Sequence, residues 1–178
     1  VATLLAMLSA SRFVGGPQGF VTEGLLTMRV VLPDARYPDD ETRRRFAENA
    51  VDRLASLPGV VSAAAANTLP SLSSNQSRRI EIEGRPAAER VELPTVDTRS
   101  VTPGLFDTLG LPIVRGRAIT DDDRADTAKV VVVSASMARR FWPKGDAVGA
   151  RFRLVGGATQ NPWFTGIGIV NDVNLYGI

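Results

Sequence analysis

The chain has 178 residues, 44% hydrophobic and 22% charged, with no cysteine, no histidine and a formal net charge of +2. A chain of this size buries roughly 70% of the surface its unfolded form exposes, and this composition is that of an ordered globular protein, so a core forms without covalent staples. The missing residue types exclude disulfides, thiol nucleophiles, Cys/His zinc sites and a Ser-His-Asp triad, and 21 basic against 19 acidic residues leave no basic footprint for nucleic acid. Catalysis would fall to carboxylates, Lys, Tyr or Ser with a base other than histidine, a less common design at neutral pH. The lack of cysteine fits a reducing cytosol and a disulfide-free exported domain alike.

Residues 1–8 (VATLLAML) form an apolar run that leads through Ser9, Ser11 and Arg12 to Gly15-Gly16-Pro17. Eight residues do not span a hydrocarbon core, which takes about 20 in a helix, and no signal-peptide pattern accompanies them. The run reads as the last turns of a longer hydrophobic helix, with an ordinary amphipathic helix as the alternative. Residues 25–32 (LLTMRVVL), rich in branched side chains and stopped by Pro33, suit a buried strand. Tyr37-Pro38-Asp39-Asp40 reads as a turn with a helix N-cap. From 41 to 57 the apolar positions Phe46, Ala47, Ala50, Val51, Leu54 and Leu57 recur at helical intervals until Pro58-Gly59 ends the pattern. A second short strand is expected over 60–66, which makes a split or crossover strand-helix-strand unit.

The polar stretch 71–77 (SLSSNQS) is the best candidate for a linker. Beyond it, 79–83 (RIEIE) alternates with a period of 2 and 91–101 is extended around Pro94. Residues 103–109 are expected to form about two helical turns, capped by Thr102 with Pro103 at the first helical position. Strands over 113–119 and 129–133 follow, separated by Asp121-Asp122-Asp123. Residues 134–141 (SASMARRF) are predicted to be helical, capped by Ser134 and stopped by Trp142-Pro143, and 152–155 and 163–173 read as closing strands around Gly156-Gly157. The expected fold class is α+β, with a strand-helix-strand portion first and a strand-rich portion with short helices after it.

The constellations that carry chemistry elsewhere have simpler readings here. Asp121 to Asp123 with Asp126 could offer oxygens to Ca²⁺ or Mg²⁺, but the EF-hand spacing is absent, and a solvated turn or cap accounts for them. Arg43-Arg44-Arg45 is flanked by Asp39, Asp40, Glu41 and Glu48, which points to a neutralised helical face instead of a phosphate site. Gly166-Ile167-Gly168 lacks the third glycine and following helix of a dinucleotide loop. Ser134 and Ser136 beside Arg139 and Arg140 lack a base, and a capped helix explains them. Trp142 before Pro143 reads as a core anchor at a helix end, in preference to a ligand platform. No catalytic, cofactor-binding or metal-binding residue is assigned.

Several separated segments carry a resemblance: Gly19-Phe20, 25–33, 46–70 around Leu57-Pro58-Gly59-Val60, Ile82-Glu83-Gly84-Arg85, 101–110 (VTPGLFDTLG), Arg115-Gly116-Arg117, Asp121 to Asp123, 130–133, 137–143 (MARRFWP), Gly145-Asp146, Val148-Gly149 and Val170-Asn171-Asp172-Val173. In order and spacing they resemble the periplasmic core domain of MacB-like ABC transporter permeases, the duplicated-permease branch of the FtsX-like superfamily. The chain departs from that pattern at Ser134-Ala135, where many members have Asn-Glu, at Asp146-Ala147, where they have Asp-Pro, and in a closing strand less rich in valine.

The resemblance implies a non-enzymatic domain on the periplasmic side of the cell inner membrane, between two membrane helices. That domain couples ATP-driven motion across the membrane in mechanotransmission and efflux and docks a periplasmic partner. It implies residues 1–20 as the end of a transmembrane helix and juxtamembrane linker, 21–70 as the first part of a porter-like lobe, 71–77 as a linker, and 78–178 as a strand-rich second lobe and return segment. Members usually continue into another strand-helix-strand half. The implied partners are an ABC ATPase subunit or domain, a periplasmic adaptor protein, a second permease copy or duplicated half, and the membrane through flanking helices. Neither a cofactor nor nucleic acid is implied. The competing reading is a carboxylate/metal-dependent hydrolase built on Asp121 to Asp123.

Overall fold

The structure is a computed structural model that describes residues 19–21, 23–68, 76–85, 93–124, 127–156 and 162–173. Its elements in chain order are α1 (Asp40–Ala55), β1 (Gln76–Ile82), β2 (Thr95–Thr98), α2 (Leu105–Thr108), β3 (Ile113–Gly116), β4 (Val130–Ser134), α3 (Ala135–Phe141), β5 (Arg151–Val155) and β6 (Trp163–Val170). The strands make one six-stranded sheet in the order β2-β1-β5-β6-β3, with β4 on β6 as well. All pairings are antiparallel except β4 with β6, which is parallel and reached through α3 and β5. The expected α+β class holds.

Period-2 alternation positions this sheet. Ile80 and Ile82 of β1 lie opposite Leu154 and Phe152 of β5. Together with Val133, Phe141 and Ala147 they make a core cluster on which Met137, Ala138 and Trp142 of the α3 region pack. Ile80 is fully enclosed, and burying such a side chain is worth about 1.5–3 kcal/mol. On the opposite face the intervening residues pair by charge: Glu81 accepts from Arg153 at 2.7 Å, and Arg153 lies 4.9 Å over the Trp163 ring. One helix therefore covers one face of the sheet, and an ion-pair and aromatic ladder finishes the other.

A second cluster, made of Leu105, Leu109, Leu111 and Val170, gathers Phe20, Leu25, Ala64 and Ala66 from the region around α1. α1 itself begins at Asp39, whose side chain accepts from the Thr42 amide, as the sequence predicts. None of its residues is buried. The two strands expected beside it differ from expectation. Residues 25–32 form neither helix nor strand, and 60–66 contribute only an isolated bridge between Ala66 and Val101. Leu26, Val31 and Val61 stand open, with Val31 76% and Val61 101% exposed, whereas Leu25, Ala64 and Ala66 turn into the second cluster, so the hydrophobic pattern is that of strands but no ladder forms among the described residues.

Two other expectations change. The helix over 103–109 shortens to Leu105–Thr108, capped by Gly104 at φ 80° with no side-chain cap. Thr102 does not cap it because its hydroxyl bonds Ala65 instead. The strand β1 begins at Gln76, so the last two residues of the expected 71–77 linker belong to the sheet, and 71–75 lie outside the described residues. The apolar run 1–8 also lies outside them; among the described residues no helix is long and apolar enough to cross a membrane.

Candidate functional site

The charged motifs singled out in the sequence are spent on holding turns against the sheet. Arg117 donates to both carboxylate oxygens of Asp123 at 2.6 and 2.8 Å, and the Thr120 amide donates to the same carboxylate. Asp123 is only 7% exposed, and this set of donors, led by Arg117, holds its carboxyl far below the usual range. The acidic turn is thus a β-turn, closed by the Asp123 amide on the Thr120 carbonyl and locked by an arginine. Asp126 lies outside the described residues, and among those described no group of three His, Cys, Asp or Glu side chains is placed to hold a metal. Asp123, the most enclosed carboxylate of the turn, is engaged by Arg117 and Thr120.

The other motifs behave alike. Arg115 pairs with Asp146, tying β3 to the turn after α3, and the Asp146 carboxylate also accepts from the Val148 amide. Asp172 accepts from the Ser136 amide at 2.7 Å and from Arg139 at 2.8 Å, so the segment after β6 clamps the first turn of α3. Burial pulls the Asp172 pKa up, but the Ser136 and Arg139 donors outweigh it and the carboxyl sits below its ordinary value. Ser134 caps α3 through the Met137 amide, as expected, and meets Ser136 at 3.0 Å. Arg43, Arg44 and Arg45 pair with Asp34, Asp40, Glu41 and Glu48, the neutralised face read from the sequence.

Gly166 and Gly168 have a purely geometric role. A Cβ on Gly166 would lie 2.2 Å from the Ala147 carbonyl oxygen, and one on Gly168 would lie 2.2 Å from that of Arg117. Two backbone segments cross β6 at these points: Gly149 donates to the Gly166 carbonyl, and Arg117 to that of Ile167. Trp142 packs on the first cluster and meets the Phe152 ring at 6.3 Å, in keeping with an anchor. It also lines an open groove of about 340 Å³ with Arg115, Arg139 and Asp146. A larger groove of about 590 Å³ runs along α1 between Arg36, Tyr37, Arg45, Phe46 and Arg53. Both are open surfaces and neither encloses a cavity.

Sequence reasoning missed the contacts made across long separations. Thr102 bonds Ala65 through both its amide and its hydroxyl, and Asn67 and Ser100 exchange bonds at 3.0 and 3.1 Å. No local pattern signals them, because a Thr 37 residues from its partner looks like any cap.

Comparison with known proteins decides the family. The family described as MacB-like periplasmic core domain matches residues 1–177. The chain belongs to that family. The MacB-like core also has counterparts among solved structures. One is the periplasmic region of MacB from Actinobacillus actinomycetemcomitans, 17% identical over 73% of this chain and 52% of that one, with a TM-score of 0.51. Another is the extracellular domain of the noncanonic ABC-type transporter YknZ from Gram-positive bacteria, 19% identical over 71% of this chain and 58% of that one; its TM-score of 0.49 adds no weight for the fold. The likeness to the MacB region supports the fold alone, and this chain spans about half of that region's length. No curated protein matches in sequence. The MacB-like core is therefore an extracytoplasmic domain type of ABC transporter permeases.

Proposed function

We propose that this MacB-like core couples ATP-driven motion across a membrane and docks a periplasmic partner, without catalysing a reaction itself. The observation that carries this reading is the family match over residues 1–177. The site chemistry agrees with it: the carboxylates of Asp123 and Asp172 serve as turn locks for arginine and backbone donors. The proposed setting is the periplasmic side of the cell inner membrane, held by flanking helices. The proposed partners are an ABC ATPase, a second permease copy or duplicated half, and a periplasmic adaptor.

Residues 21–70 are proposed as the first part of a porter-like lobe and 78–178 as mainly the second lobe. The apolar stretches 25–32 and 60–66, which form no ladder and leave Leu26, Val31 and Val61 exposed, support a lobe completed by strands from elsewhere in a longer protein. The full-length protein, extracted in detergent, should copurify with an ABC ATPase and carry membrane helices on both sides of this segment. A water-soluble full-length protein would contradict the reading.

A further inference from the structure

We propose that residues 101–111 form a strut that fixes the α1 segment relative to the six-stranded sheet, with Thr102 and Gly110 as its positioning residues. No ladder joins the sheet to the α1 segment among the described residues, apart from the single Ala66–Val101 bridge at the strut's own start. Beside the bonds between Asn67 and Ser100 and the approach of Gly19 to Asp172, this stretch of chain joins them.

On the α1 side, Thr102 holds residue 65 from three directions. Its amide donates to the Ala65 carbonyl at 2.9 Å, its hydroxyl accepts from the Ala65 amide at 2.8 Å, and the same hydroxyl donates to that carbonyl at 3.3 Å. At the strut's other end the Val21 amide donates to the Leu109 carbonyl at 2.9 Å. Both passages of the chain into the α1 segment, near residue 21 and near residue 65, are thereby pinned to one short element.

On the sheet side, Leu105, Leu109 and Leu111 bury themselves with Val170 of β6, and Ile113 and Val132 pack beside them. The strut is stiff for its length: Leu109 donates to Leu105, and Leu111 donates back to Phe106 at 2.7 Å. Gly110 sets the spacing. It sits at φ 62°, and a Cβ there would meet Val21 Cγ2 at 2.5 Å, so the first passage lies directly on the glycine. Displacement of the α1 segment can reach β6 through packed side chains and paired backbone, because the strut touches both without a flexible span between.

The bearing of this strut on transport rests on the coupling role proposed above, and the experiment keeps the two apart. The sequence contains no cysteine, so Asp52→Cys on α1 and Lys144→Cys after α3 give a unique spin-label pair in this segment of the full-length permease, once cysteines elsewhere are replaced. Without nucleotide, double electron–electron resonance should give one narrow distance distribution. Thr102→Val and Gly110→Ala should each widen it at least twofold, whereas Phe152→Leu, in the other core cluster, should lower the melting temperature and leave the width unchanged. Unchanged widths in Thr102→Val would overturn the strut even if Gly110→Ala fails to fold. Widening in Phe152→Leu equal to that in Thr102→Val would overturn it too, as the signature of general loosening. The ratio of transport to ATP hydrolysis is read separately. A widened distribution with an unchanged ratio would leave the strut standing and remove its role in coupling.

Discussion

Gly168 lies where the backbone of Arg117 crosses β6, with a carbonyl oxygen 2.2 Å from where a Cβ would be. Backbone cannot rotate aside as a side-chain tip can, so Gly168→Ala should destabilise the protein by about 1–3 kcal/mol in urea unfolding. Gly145→Ala, with nothing within 4 Å, should change stability by less than about 0.5 kcal/mol. Asp123 gives a pH-dependent counterpart. Its folded pKa lies below its unfolded value near 3.8, so the stability it contributes is complete above that value and is lost as pH falls toward the folded pKa. The stability gap between wild type and Asp123→Asn should be constant from pH 7 to about pH 5 and shrink steadily below about pH 4; a gap that persists unchanged at pH 2 would contradict the Arg117 lock. At this scale the sequence speaks against a dinucleotide loop and favours a turn over a metal site at Asp121 to Asp123, but the reason for Gly166 and Gly168 lies in chain crossings that sequence spacing does not encode.

Helices are the best-read elements. Asp39 and Ser134 stand where caps are expected, because a cap depends on residues three apart. Ser134→Ala should cost about 1 kcal/mol through lost capping of α3, read by thermal unfolding. The alternation of β1 and the closing hairpin are also legible, since the pattern repeats along a single strand. Thr102 misleads because the same hydroxyl suits a cap or a distant backbone, and tertiary contact with Ala65 wins. Residues 25–32 mislead in a different way: their composition specifies a strand, but a ladder needs a partner. Hydrogen exchange should therefore show amides of 25–32 exchanging at least 100-fold faster than those of β5 and β6, which lie between paired strands. Equal protection in both regions would contradict the unpaired description.

For the whole molecule, apolar surface is divided unevenly. The sheet encloses Ile80 and Phe152 beneath α3, while Leu26, Val31 and Val61 near α1 remain open. Exposed hydrophobic surface of that kind is the surface on which the proposed completion of the lobe rests. The α+β class and the family were legible from ordered motifs over most of the chain. The surface that meets a partner was not, because contact surfaces need no local periodicity. The central claim is that this domain faces the outside of the membrane as part of a permease. Lys144 is exposed, so a single Lys144→Cys in the full-length protein can be challenged with a membrane-impermeant maleimide in intact spheroplasts. The account expects labelling of intact spheroplasts equal to that after lysis; labelling that appears only after lysis would contradict it.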